Sequence, residues 1–172
     1  MTIFLVGPRA CGKSTIGELL ARRLGLPFED IDAYLRRSLG MTVAQMVATA
    51  GWEYFRNCEN DALRETAELL ADGGVIATGG GMVLRAENRT FMRAAGRVFF
   101  LFAPAELLAA RLAADPQSDL RPPLADEAAT DSSARETLYR EAAHHTLDAV
   151  CQPEKICRKI SSIISNYNKL QP

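Results

Sequence analysis

The chain has no surplus of charge, few histidines and no long apolar run. Its 172 residues carry 20 Lys and Arg against 21 Asp and Glu, a formal net charge of −1. That balance argues against a general nucleic-acid binder, which shows a basic excess. Any anion site must come from local placement of cations. No apolar stretch approaches the ~20 residues that span a bilayer, so no membrane partner is expected. Strand-like residues begin at Ile3, with no basic region ahead of a signal-type segment. The 2 histidines, His144 and His145, are adjacent and point to different sides of a helix, which excludes a zinc site built on them. Among the 4 cysteines, Cys11, Cys58, Cys151 and Cys157, there is no CxxC pair. They read as the reduced thiols of a cytoplasmic protein.

What is present begins with MTIFLVGPRACGKST. An apolar run reading as a buried strand enters a glycine turn that carries a lysine and two hydroxyls. Gly7 to Ser14 matches G-x-x-x-x-G-K-[ST] in full, between a strand and a helix, the context that marks a phosphate-binding loop. Backbone N–H groups of such a loop converge with the helix N-terminus on phosphates. Lys13 bridges the outer phosphates, and the Ser14 hydroxyl is a ligand for Mg²⁺. The anion is read as a nucleoside triphosphate.

The rest alternates strand and helix. Helical spacing runs from Ser14 to Leu24, closed by Gly25 and Pro27. Phe28–Asp32 reads as a second strand. T-V-A-Q at Thr42–Gln45 is a capping box opening a helix, and Trp52–Leu70 is a longer one. Val75–Thr78 and Val98–Phe102 are strands, with helices at Glu87–Ala95 and from Leu107 to Ala113. Ala114–Ser132, rich in proline and aspartate, reads as a mobile loop. A capping box at Ser133–Glu136 opens a helix through Ala143. Thr146–Ala149 is an edge strand, and Pro153 opens a final helix to about Tyr167. This alternation predicts an α/β fold, a parallel sheet covered on both faces, in one domain over 1–172.

Further motifs gather round the loop. FEDID puts Asp30 and Asp32 two apart; on a strand both face one side, at the sheet edge where ligands bind. One carboxylate then holds metal-bound water and the other orients or deprotonates an acceptor hydroxyl. The glycines of TGGG let backbone approach a ligand closely. Arg56 and Arg140 each follow an aromatic, Phe55 and Tyr139, and guanidinium forks suit carboxylate or phosphate, although each alone also reads as a surface residue. Arg121, in DLRPPL, is a cation placed to close over transferring phosphates. Kinases of gluconate or of nucleoside monophosphates remain open on these residues, as does a nucleotide-binding switch.

Taken together, the loop with its following STIG, FEDID, GWEYFR, VIATGGG, LRPPL and LYREAA resemble the shikimate kinase family in order and spacing, over roughly Ile3 to Ile164. The phosphate loop is shared by many enzymes; its combination with the aspartate pair, Phe55-Arg56 and the triple glycine is far more specific. The resemblance implies a P-loop kinase fold with a five-stranded parallel sheet in the order 2-3-1-4-5. It implies ATP-dependent phosphorylation of the 3-hydroxyl of shikimate, on the route to chorismate and the aromatic amino acids. Carried over, Gly7, Ala10, Cys11, Gly12, Lys13, Ser14 and Thr15 hold ATP, and Arg111 and Pro153 flank its adenine. Ser14 and Asp30 serve Mg²⁺. Asp32 binds the acceptor hydroxyls and is the base. Arg56 and Arg140 clamp the carboxylate, with Glu59 bracing Arg56, and Phe55, Gly79, Gly80 and Gly81 line the ring. Arg121 belongs to a lid at 112–132, and the acceptor-binding segment spans 32–62. A monomer is expected. One departure stands out: Ala10 occupies a position where the family commonly has glycine, and a β-carbon fits there at negative φ.

Overall fold

The computed structural model describes residues 1–114 and 132–169. Strands β1 (Thr2–Val6), β2 (Phe28–Asp30), β3 (Gly74–Ala77), β4 (Gly96–Phe102) and β5 (His145–Asp148) form one sheet in the order β2-β3-β1-β4-β5. All four pairings are parallel. The connecting helices are α1 (Lys13–Leu24), α2 (Ile31–Leu39), α3 (Val43–Leu69), α4 (Ala86–Ala95), α5 (Ala105–Ala113), α6 (Ser132–Ala142) and α7 (Pro153–Lys169), with a 3-10 turn at Met82–Leu84.

The central strand shows why the apolar run at the N-terminus is unbroken. Ile3 and Leu5 enter one core with Leu20 of α1 and Ile160 of α7. Phe4 and Val6 enter the other, with Met46 and Leu63 of α3 and Met92 of α4. Alternate side chains point to opposite faces, and both faces are covered, so every position from Ile3 to Val6 is apolar. α1 lies close on its face because residue 17 is glycine; a Cβ there would strike the Phe28 ring.

Helix ends follow local chemistry. Gly25 and Gly40 stop α1 and α2 in the left-handed conformation, at φ 66° and 64°. The capping box at the start of α3 is complete: Gln45 N–H donates to Thr42 Oγ1 at 3.2 Å, and Thr42 N–H donates to Gln45 Oε1 at 2.8 Å. α3 breaks at Gly51 (φ 80°, ψ 173°), so the two helices read from sequence abut.

Boundaries differ from expectation at several elements, β4 and α5 each starting two residues early, at Gly96 and Ala105. β2 stops at Asp30, and Ile31 already begins α2, a helix the sequence reading did not separate. The reason is the Asp30 side chain, whose Oδ1 accepts from Ala33 N–H at 3.1 Å and caps the new helix. Asp30 and Asp32 therefore do not share a strand face. α6 starts at Ser132, so Ser133 lies inside the helix rather than capping it, and β5 begins at His145. Of the expected lid, 112 and 113 belong to α5; Arg121 and the rest of 115–131 lie outside the described residues. Among the described residues no helix is long and apolar enough to cross a membrane.

Candidate active site

The carboxyl ends of β1, β2 and β3 open into a cleft of about 630 Å³, where parallel α/β sheets bind ligands. Its nucleotide half is made by the turn between β1 and α1. Gly7 has φ 149°, and a Cβ there would lie 2.7 Å from the Leu101 carbonyl oxygen and 2.9 Å from Cys11 Sγ. Only glycine fits. Gly12 caps α1 at φ 99° with no side-chain hydrogen bond, which leaves the first-turn N–H groups for an anion. Lys13 Nζ donates to the Gly7 and Pro8 carbonyls at 2.8 and 2.7 Å, folded over the turn it serves.

Ala10 takes φ 63°, against the expectation of a negative φ. The left-handed region costs a non-glycine residue roughly 1–2 kcal/mol, so this turn keeps the backbone of a glycine while carrying a methyl group. Cys11 is 1 % exposed, with Sγ 3.7 Å from Lys13 Nζ. Its thiol packs the turn from beneath.

Ser14 and Asp30 meet: Ser14 Oγ donates to Asp30 Oδ2 at 2.5 Å. The other Asp30 oxygen holds α2, so one carboxylate links the first turn of α1 to the acceptor segment. The donor set is two hard oxygens, and no cluster of three His, Cys, Asp or Glu exists among the described residues. That suits Mg²⁺, which keeps several waters and takes remaining ligands from phosphates.

The acceptor half is built from α2, α3 and the glycine segment after β3. Asp32, Arg56 and Glu59 are all buried. Arg56 Nη1 donates to Glu59 Oε2, while Arg56 Nε and Nη2 are buried without a partner. Buried donors need partners, and this guanidinium, on a residue that lines the cleft, has two without one. Its Cζ lies 5.5 Å from the Trp52 ring and 5.3 Å from the Phe55 ring. Burial pushes the Glu59 carboxyl up to about 7; Asp32 pushes the same way, while Arg56 and Arg85 oppose it.

The triple glycine owes its composition to these charges. A Cβ on Gly79 would collide with Glu59 Oε1 and crowd Asp32 Oδ1, and one on Gly81 would overlap the Arg56 guanidinium. Gly81 itself has φ −88°, so space rather than backbone freedom demands glycine. The Gly80 carbonyl accepts from Tyr139 OH at 2.6 Å.

The cleft thus gathers Ala10, Cys11, Gly12, Lys13, Ser14, Thr15, Asp30, Asp32, Phe55, Arg56, Glu59, Gly79, Gly80, Gly81, Arg111 and Pro153. Arg111 ties α5 to both ends of the nucleotide half, donating to the Ala10 and Ala149 carbonyls at 3.3 and 3.2 Å. Gly7 supports the turn without lining the cleft. Arg140 is not brought in: half exposed, it pairs with Glu136 at 2.6 Å and lies 5.9 Å from the Phe100 and Phe102 rings. Sequence reasoning missed Arg9, Arg36, Thr42, Thr78, Cys151 and Ile156 on the walls. The i,i+4 spacing from Asp32 was the available signal for Arg36.

Known proteins match this chain over most of its length. The family model for shikimate kinase matches residues 9–165. The chain belongs to the shikimate kinase family. It is 53% identical over 160 residues to shikimate kinase 2 of Syntrophotalea carbinolica, covering 90% of this chain and 91% of that one. It is 49% identical over 159 residues to shikimate kinase 2 of Dickeya chrysanthemi, covering 90% of each. The shikimate kinase of Acinetobacter baumannii, solved in complex with shikimate, superposes with a TM-score of 0.85 at 34% identity, covering 99% of this chain and 95% of that one. The chain is a kinase that uses ATP to phosphorylate a hydroxyl of shikimate, in the pathway to aromatic amino acids.

Proposed function

We propose that the cleft performs this reaction with its two halves in distinct roles. The loop N–H groups, the α1 N-terminus and Lys13 hold the phosphates of ATP, with Arg111 and Pro153 beside the base. Lys13 moves from its loop carbonyls to the transferring phosphoryl group, where charge stabilisation dominates the rate. Ser14 and Asp30 would hold Mg²⁺, which would neutralise phosphate charge there. Asp32, buried at the start of α2, orients the 3-hydroxyl of shikimate and takes its proton. Arg56 receives the carboxylate through its unpartnered Nε and Nη2, braced by Glu59. Arg140, one residue beyond the Tyr139 anchor on the glycine segment, reaches the same carboxylate by leaving Glu136.

The observation that carries this reading is the pair of buried Arg56 donors without a hydrogen-bond partner, on a residue that lines the same cleft as Gly79, Gly80 and Gly81. A planar carboxylate matches them in number and spacing. Four free thiols suit the reducing cytoplasm. Coupled ADP release over a panel of shikimate, gluconate and nucleoside monophosphates tests the assignment. Steady turnover is expected with shikimate alone; comparable turnover with gluconate or a nucleotide would contradict it.

A further inference from the structure

The acceptor half of the cleft holds a cation that none of these roles uses. Arg36 lies on α2 four residues after Asp32, so the two side chains share a helix face, and both line the cleft. Its neighbour Arg37 faces elsewhere and is tied down, with Nη2 2.7 Å from Glu29 Oε2 and Cζ 5.9 Å from the Tyr34 ring. The Arg36 side chain is exposed at the cleft wall and makes no ion pair or hydrogen bond among the described residues.

The carboxyl groups of Asp32 and Glu59 line the acceptor half, and Asp30 joins it to the nucleotide half. Arg56 is matched by Glu59, and Lys13 is held by loop carbonyls on the nucleotide side. An anionic acceptor approaching this surface meets Arg36 as a cation with no carboxylate of the described residues bound to it. A free guanidinium at the wall of a concave, low-dielectric site raises the local concentration of anions. Its exposure keeps the effect electrostatic and screened by salt.

We infer that Arg36 is an acceptor-recognition residue, whose free guanidinium draws the acceptor's carboxylate into the cleft and favours anionic over neutral polyols. This rests on the kinase reading above. The inference places Arg36 in capture, ahead of the buried Arg56 fork, and outside the chemical step.

Steady-state kinetics of Arg36→Gln and Arg36→Glu, with Arg37→Gln as the comparison, test it. At low ionic strength KM for shikimate should rise about threefold in Arg36→Gln and about tenfold in Arg36→Glu, with kcat and KM for ATP within about twofold of the unaltered enzyme. High salt should shrink the difference, and with the methyl ester of shikimate, which lacks the charge, the variants should match the unaltered enzyme. Arg37→Gln should leave KM for shikimate unchanged. ADP release by the unaltered enzyme checks the kinase reading by itself. Given that activity, an Arg36→Glu KM equal to that of the unaltered enzyme, a rise that persists with the ester, or an equal rise in Arg37→Gln would overturn the role of Arg36.

Discussion

Glu59 is the side chain whose chemistry depends most on its surroundings. In the unfolded chain its carboxyl titrates near 4.5, and burial lifts it to about 7 in the fold. A raised carboxyl binds its proton more tightly when folded. Its contribution to stability is therefore full below 4.5 and is lost as pH rises through 7. The same titration changes the acceptor site. Above 7 an ionised Glu59 cancels the charge of Arg56; below 7 Arg56 faces the cleft with its charge uncompensated by Glu59. Shikimate stays ionised through this range, so KM for shikimate should be lower at pH 6 than at pH 8, by about three- to tenfold. Glu59→Gln should flatten that profile. An unchanged slope in the variant would place the titrating group elsewhere. Ala10 makes a separate point at this scale: its φ of 63° gives the turn that glycine would make.

The glycine segment shows how one element serves another. Three glycines in a row read from sequence as backbone built to approach a ligand. The structure assigns Gly79 and Gly81 a different task, making room for Glu59, Asp32 and Arg56. Gly80 is freer, since a Cβ there meets nothing nearer than Arg9 N at 3.6 Å. Alanine at 79 or 81 should cost about 1–3 kcal/mol of stability by forcing buried charges aside. Alanine at 80 should cost far less. Urea unfolding of the three single variants checks this, and equal losses at all three would show that backbone conformation matters more than space. The phosphate turn, by contrast, was legible because its glycines obey local geometry. Gly7 and Gly12 take positive φ and sit at motif spacing. The aspartate pair was misread as structure. The strand rule placed both on one face, but the Asp30 side chain captures Ala33 N–H and ends β2 two residues early. A capping bond of that kind competes with strand pairing, and the pattern of apolar residues does not report it.

At the scale of the whole molecule, the alternation of apolar strands and amphipathic helices carried the sheet and its two cores, because period-two burial on both faces leaves a continuous apolar run. Helix stops at Gly25 and Gly40 are equally local. The family resemblance anticipated the pairing of Arg56 with Glu59, while the spacing of charges alone did not show which of them meet. Arg56 and Glu59 are three residues apart and pair in the core, whereas Arg140 pairs with Glu136 on the surface. Long-range burial decides between those fates. Trp52 links this charge site to an optical signal, since the Arg56 guanidinium lies over its ring. The central claim is that the buried Arg56 fork recognises the acceptor's carboxylate. Shikimate titration of Trp52 fluorescence in Arg56→Ala and Arg56→Lys, alongside ATP binding, tests it most directly. A charge-assisted hydrogen bond contributes about 1.5–3 kcal/mol, so shikimate affinity should fall roughly ten- to hundredfold in Arg56→Ala. Arg56→Lys should recover part of the loss, since lysine lacks the planar fork, and ATP affinity should stay near that of the unaltered enzyme. Equal losses of shikimate and ATP affinity, or full recovery by lysine, would contradict the account.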